Sequence, residues 1–116
     1  MAKKILIADY SAFMRKMLIE ILNEGGYTEI IEAENGKIAL EKIESENPDL
    51  VLLDIIMPEV DGVEVTKQAG KKVKIIIISA IGQEGVIKEA QDNGALGFIV
   101  KPFKKEQVLE EVGKHV

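Results

Sequence analysis

Residues 50–80 read LVLLDIIMPEVDGVEVTKQAGKKVKIIIISA, two short apolar runs separated by a segment of different period. The runs Leu50 to Leu53 and Val73 to Ile78 have strand length, are rich in branched residues and lack polar alternation, which reads as strands buried on both faces. Between them Val65, Thr66 and Ala69 form one thin apolar stripe ending at Gly70, so a short third helix of about two turns is expected within Val63 to Lys72. Strand, helix and strand in this order predict a parallel pair joined by a right-handed crossover.

The same alternation extends in both directions. Further apolar runs at Ile5 to Ala8, Ile30 to Ala33 and Phe98 to Val100 bring the strands to five. Met14, Met17, Leu18, Ile21 and Leu22 follow the spacing of a buried helical stripe, and Ala39, Leu40 and Ile43 repeat it more briefly. Val86, Ile87 and Ala90 mark a fourth helix, and Val108, Leu109, Val112 and Val116 a fifth. The methionines in these stripes read as core filler. The implied class is α/β, a doubly wound five-stranded parallel sheet with helices on both faces. For five such units the flavodoxin-like strand order 2-1-3-4-5 is the common solution, and its ligand crevice lies at the carboxyl ends of strands 1 and 3.

With 116 residues, 47% of them hydrophobic, the chain can close one core without staples, and no linker or low-complexity tract divides it. One domain, 1–116, is expected, as a monomer. Fifteen Lys and Arg against 20 Asp and Glu give a net charge of −5, which opposes phosphate attraction and argues against nucleic-acid partners. Cysteine is absent, so neither a disulfide framework nor a Cys-type zinc site can form. The four apolar residues Ile5 to Ala8 before Asp9 are too few for a signal-peptide core or a membrane span. A cytoplasmic protein without membrane contact is expected.

The residues that close the strands are Asp9, Asp54, Ser79 and Lys101. Two neighbouring carboxylates are costly unless a cation neutralises them, which suggests a hard divalent ion such as Mg²⁺. With a lysine and a hydroxyl added, the set suits a transferred phosphoryl group, whose peripheral oxygens need neutralising more than chemical activation. Each residue also has an ordinary use. Asp9 and Ser11 can cap the first helix; Asp54 can be a loop carboxylate, Ser79 a turn residue and Lys101 a solvated strand end. Their joint occurrence at four strand ends favours the crevice. His115, the sole histidine, reads as a frayed surface residue. Gly82 and Gly85 bracket the start of the fourth helix, as punctuation or as the base of a moving loop.

The stretches ILIADYSAFMR at 5–15, LLDIIMPEVDG at 52–62, Ser79-Ala80 and FIVKPF at 98–103 together resemble the receiver domains of two-component response regulators, most nearly the stand-alone chemotaxis type. Such receivers typify the strand order given above, so order and resemblance are one inference. The resemblance implies that Asp54 accepts a phosphoryl group from a sensor histidine kinase or phosphotransfer domain. Asp9, Asp54 and the main-chain carbonyl of Ile56 would hold Mg²⁺, and Lys101 would pair with the phosphoryl group. Ser79 would move to hydrogen-bond it, and Phe98 would follow inward. That movement would reshape the face of helix 4, strand 5 and helix 5 for an output protein such as a flagellar-motor component. The bond before Pro102 would be cis.

One position departs from the family. A second acid usually follows the first at the end of strand 1 and touches the metal; here that residue is Tyr10, a neutral phenol and a poor ligand for Mg²⁺. The rival reading is therefore a pseudo-receiver, a binding module impaired in metal binding and phosphorylation. A flavin carrier is disfavoured, because Asp-Tyr-Ser-Ala-Phe after strand 1 is no run of phosphate-cradling hydroxyls. A phosphatase is disfavoured too, since no second acid stands two residues beyond Asp54. The chain is expected to accept a phosphoryl group and assist its own phosphorylation and dephosphorylation, without turning over a separate substrate.

Overall fold

The computed structural model describes residues 3–80 and 83–116. The elements alternate without interruption: β1 (Lys4–Ala8), α1 (Ala12–Glu24), β2 (Glu29–Ala33), α2 (Gly36–Glu46), β3 (Leu50–Asp54), α3 (Gly62–Ala69), β4 (Ile75–Ala80), α4 (Glu84–Asp92), β5 (Gly97–Lys101) and α5 (Lys105–His115). All strand pairs are parallel and the order is β2-β1-β3-β4-β5, the common solution expected for five such units.

Side chains of a strand point alternately to its two faces, so each central strand feeds two cores. Leu6, Val51, Leu53, Ile75 and Ile77 pack with Ala39, Ile43, Val65, Ala69, Ile87 and Ala90 of α2, α3 and α4. Ile5, Ile7, Leu50, Leu52, Ile76 and Ile78 pack with Leu18, Ile21, Leu22, Val108 and Val112 of α1 and α5. Burying a Leu or Ile side chain fully stabilises the fold by about 1.5–3 kcal/mol, which makes these runs the main determinant of the architecture.

Burial on both faces holds for β1, β3 and β4 but not for the other two strands. Glu29 and Glu32 of β2 and Phe98 of β5 are exposed, because an edge strand has a neighbour on one side only, and charge there also blocks pairing with other chains. β4 starts at Ile75, later than the apolar run suggests. The amides of Lys72 and Val73 close back onto the Ala69 carbonyl, at 2.9 and 3.1 Å, and hold Val73 in the turn after α3. α3 itself is two turns long and stops at Gly70, with Asp61 as its N-cap.

His115 is not frayed. It lies in the last turn of α5 with Nε2 3.4 Å from Glu111 Oε2, at the helix end where a positive charge is favoured. Gly85 falls inside α4; Gly82 lies outside the described residues.

Candidate functional site

Register decides what meets at the carboxyl ends of the strands. Ala8 lies beside Leu53, so Asp9, one residue further, comes level with Asp54. Asp54 pairs with Ile78, and Ile78 with Ile99. Lys101 therefore starts two residues beyond the level of the acids and reaches back with its long stem. Its Nζ stands 3.4 Å from Asp54 Oδ2 and 3.5 Å from Asp9 Oδ2. The first contact is a long hydrogen bond; the second is an ion pair without one.

The crevice is desolvated and incompletely paired. Asp9, Asp54 and Ser79 are all buried. Asp9 Oδ1 accepts the Ser11 amide at 2.9 Å, while Asp9 Oδ2 and Ser79 Oγ find no hydrogen-bond partner among the described residues. Asp54 Oδ1 accepts the Ile56 amide at 3.4 Å. Burial pushes the Asp54 carboxyl above its usual range and the charge of Asp9 adds to this, while Lys101 and the Ile56 amide pull the other way. An acid with this balance favours a further cation or a hydrogen-bond donor.

Of the two ordinary uses weighed for the first turn, one is realised beside the site. Ser11 is the N-cap of α1 and accepts the Met14 amide; Asp9 instead ties its own turn and sends its second oxygen into the crevice. Tyr10 lines the mouth of the crevice and is 65% exposed. Ile56 is exposed at the rim, and the Lys101–Pro102 peptide is cis. Phe98 lies on the outer surface of β5, 44% exposed and away from the carboxylates.

The crevice occupies about 270 Å³. A wider groove of about 470 Å³ runs between α3 and α4, but its charged side chains, Asp61, Glu64, Lys67 and Glu89, are exposed. Desolvation, rather than volume, marks the chemistry here. Among the described residues no group of three or more carboxylate, imidazole or thiol side chains stands ready for a metal; the crevice supplies two carboxylates.

Two contributors carried no signal in the sequence. Gln83 turns its carboxamide oxygen onto the Ala80 amide at 2.8 Å, at the crevice mouth. Arg15 donates to the carbonyls of Asp9 and Tyr10 at 2.7 and 3.3 Å. An arginine within a helical stripe looks like any solvated residue until the turn before it is folded.

Comparison with known proteins bears on the family and the fold. The family model described as response regulator receiver domain matches residues 5–113. The chemotaxis protein CheY of Bacillus subtilis is 46% identical over 98% of both chains, and that of Thermotoga maritima 44% identical over the same shares. The sporulation initiation phosphotransferase F of B. subtilis is 37% identical, covering 100% of this chain and 95% of that one. Among solved structures, the response regulator domain of T. maritima CheB superposes with TM-score 0.81 at 32% identity, over 98% of this chain and 92% of that one. The NtrX receiver domain of Brucella abortus gives 0.90 at 28% identity, over 97% of each chain. In a longer NtrX chain the match covers 99% of this protein and 27% of that one, with TM-score 0.91 and 29% identity.

Proposed function

This chain belongs to the response regulator receiver domain family of two-component signalling, and from that premise we propose that its crevice is a phosphorylation switch in which Asp54 is the sole phosphoacceptor. The observation that carries the reading is the convergence of the Asp54 carboxylate, the Asp9 carboxylate and the Lys101 ammonium, with both contacts at 3.4 to 3.5 Å.

An Asp54 oxygen forms the new bond to phosphorus as the bond to the imidazole nitrogen of a donor phosphohistidine breaks. The donor imidazole then takes a proton from solvent. Lys101, already against Asp54, neutralises charge on the transferred group without having to be recruited. Ser79 Oγ, buried and unpartnered among the described residues, supplies a hydroxyl donor to it. Phe98, exposed on β5, is the residue whose inward movement would reshape the face of α4, β5 and α5 for an output protein.

Mg²⁺ fits the donor set in part. Asp9 Oδ2, without a hydrogen-bond donor among the described residues and beside the Asp54 carboxylate, is what a hard cation seeks, and the main chain of Ile56 can complete the oxygen ligands. The ion would supply charge neutralisation at the crevice. Tyr10 contributes no carboxylate, so binding is expected to be weak.

The upstream partner is a sensor histidine kinase or phosphotransfer domain. The downstream partner is an output protein, with a flagellar-motor component favoured by identities of 44–46% to chemotaxis proteins against 37% to the sporulation phosphotransferase. We place the chain in the cytoplasm as a single-domain monomer that turns over no separate substrate. Treatment with a small-molecule phosphodonor across a Mg²⁺ series, followed by mass spectrometry, tests the reading. One phosphoryl on Asp54, lost in Asp54→Ala, is expected; incorporation elsewhere sinks the assignment. No incorporation at any Mg²⁺ level supports the pseudo-receiver, which the phenol of Tyr10 at the crevice mouth and the two-acid crevice favour. Beryllofluoride should alter the Phe98 environment in the wild type but not in Lys101→Ala or Ser79→Ala; a full response in both removes their switch role.

A further inference from the structure

The turn that carries Asp9 is held from behind. Its amide donates to the Ala33 carbonyl at 3.0 Å, which ties the start of the turn to the end of β2. One turn into α1, Arg15 folds back over the same residues: Nη1 donates to the Asp9 carbonyl at 2.7 Å and reaches the Tyr10 carbonyl at 3.3 Å. Its Nε donates to Glu32 Oε1 at 2.9 Å. Lys42 of α2 in turn holds the Glu32 main chain by donating to its carbonyl.

The ordinary reading of Arg15 and Glu32 is a surface ion pair, and such pairs contribute little. Two observations argue for more. The Arg15 side chain is only 14% exposed, and it donates from Nε to a carboxylate and from Nη1 to consecutive main-chain carbonyls at once, a use of the planar guanidinium fork that lysine cannot reproduce. Those carbonyls belong to the residue that aims a carboxylate into the crevice and to the residue that replaces the expected acid. With both peptide oxygens engaged, the turn cannot rotate to swing the Asp9 carboxylate outward without breaking charge-assisted hydrogen bonds.

We propose that Arg15 is a positioning residue: braced by Glu32, it locks the Asp9–Tyr10 turn so that the Asp9 carboxylate faces Asp54 and Lys101. The inference rests on the reading of the crevice as a metal-assisted phosphoryl site, and its role is carried through Asp9, since Arg15 contacts none of the reacting atoms. Supporting groups behind metal ligands typically change metal affinity ~10 to 100-fold when removed, so an effect near the lower bound, about tenfold, is expected.

The test titrates Mg²⁺ alone into wild type, Arg15→Ala, Arg15→Lys and Glu32→Ala, following amide signals of residues 9–11 by NMR. Exchange protection of the Ser11 amide, the donor to Asp9 Oδ1, is measured separately without metal. Arg15→Ala should weaken Mg²⁺ about tenfold and lower Ser11 protection at a temperature where the protein is fully folded. Arg15→Lys, which keeps charge and stem but not the fork, should fall between, and Glu32→Ala should shift both readouts in the same direction but less. Wild-type Mg²⁺ affinity together with unchanged Ser11 protection in Arg15→Ala overturns the proposal. Should that variant not fold, the same result in Arg15→Lys does so. If the wild type binds no Mg²⁺, the metal-assisted reading fails while Ser11 protection still decides the positioning role.

Discussion

Leu53 and Asp54 are neighbours in β3 and both are buried, but they occupy regions built to opposite rules. The interior of β1, β3 and β4 is apolar and closely packed against helices on both faces. At the carboxyl ends of the same strands, Asp9, Asp54 and Ser79 are buried as well, yet Asp9 Oδ2 and Ser79 Oγ lack hydrogen-bond partners among the described residues. Most buried polar groups in folded proteins are satisfied. The contrast teaches that the core holds the sheet in register while the strand ends keep binding capacity in reserve, the usual pattern where stability is traded for function.

That division can be broken from either side. The largest effect is expected in the core: Leu53→Ala, at a site with no accessible surface, should cost about 2–5 kcal/mol in urea unfolding while the folded fraction keeps its capacity to label Asp54. Loss of labelling in protein shown to be folded would mean that the two regions are not separable.

Next in size is Tyr10→Asp, which returns an acid to the crevice mouth. Mg²⁺ should bind at least ~10 to 100-fold more tightly, roughly 1.4–2.7 kcal/mol, with little change in the unfolding midpoint because the ring is exposed. Side-by-side titration decides it, and equal affinities would show that Tyr10 is tolerated.

A smaller effect, opposed in part by Lys101, concerns pH. Burial and Asp9 hold the Asp54 carboxyl above its ordinary value of 3.8, so the native protein binds that proton more readily than the unfolded chain does. The stability Asp54 contributes is therefore fully present below about 3.8 and is lost as pH rises through the native value. In metal-free buffer Asp54→Asn should be more stable than wild type at neutral pH, with the difference shrinking on acidification. A gap that stays constant across that range would contradict the assignment of burial as the cause.

The smallest change is Ser79→Ala. Removing a buried hydroxyl that has no partner among the described residues should leave stability within about 1 kcal/mol of wild type, or raise it slightly. A larger loss would reveal a hydrogen bond that holds the native state together.

Periodicity in the sequence determined the order of elements, the parallel sheet and the four polar residues at its carboxyl ends, because a side chain's face along a strand or helix follows from its local spacing. Val65, Thr66, Ala69 and Gly70 even conveyed the two-turn length of α3. Exposure of β2 and β5, the hold of the turn after α3 on Val73 and the ordered end of α5 at His115 depend on which neighbours a segment acquires, and spacing carries none of that. The crevice divides in the same way. Asp9 and Asp54 could be named as strand ends, but Lys101 reaching back to both and the clasp of Arg15 on the Asp9 and Tyr10 carbonyls arise only when cross-strand register brings distant backbone into range. A hydrogen bond is set by ångströms in three dimensions, and those distances were decided by the packing of helices on the sheet.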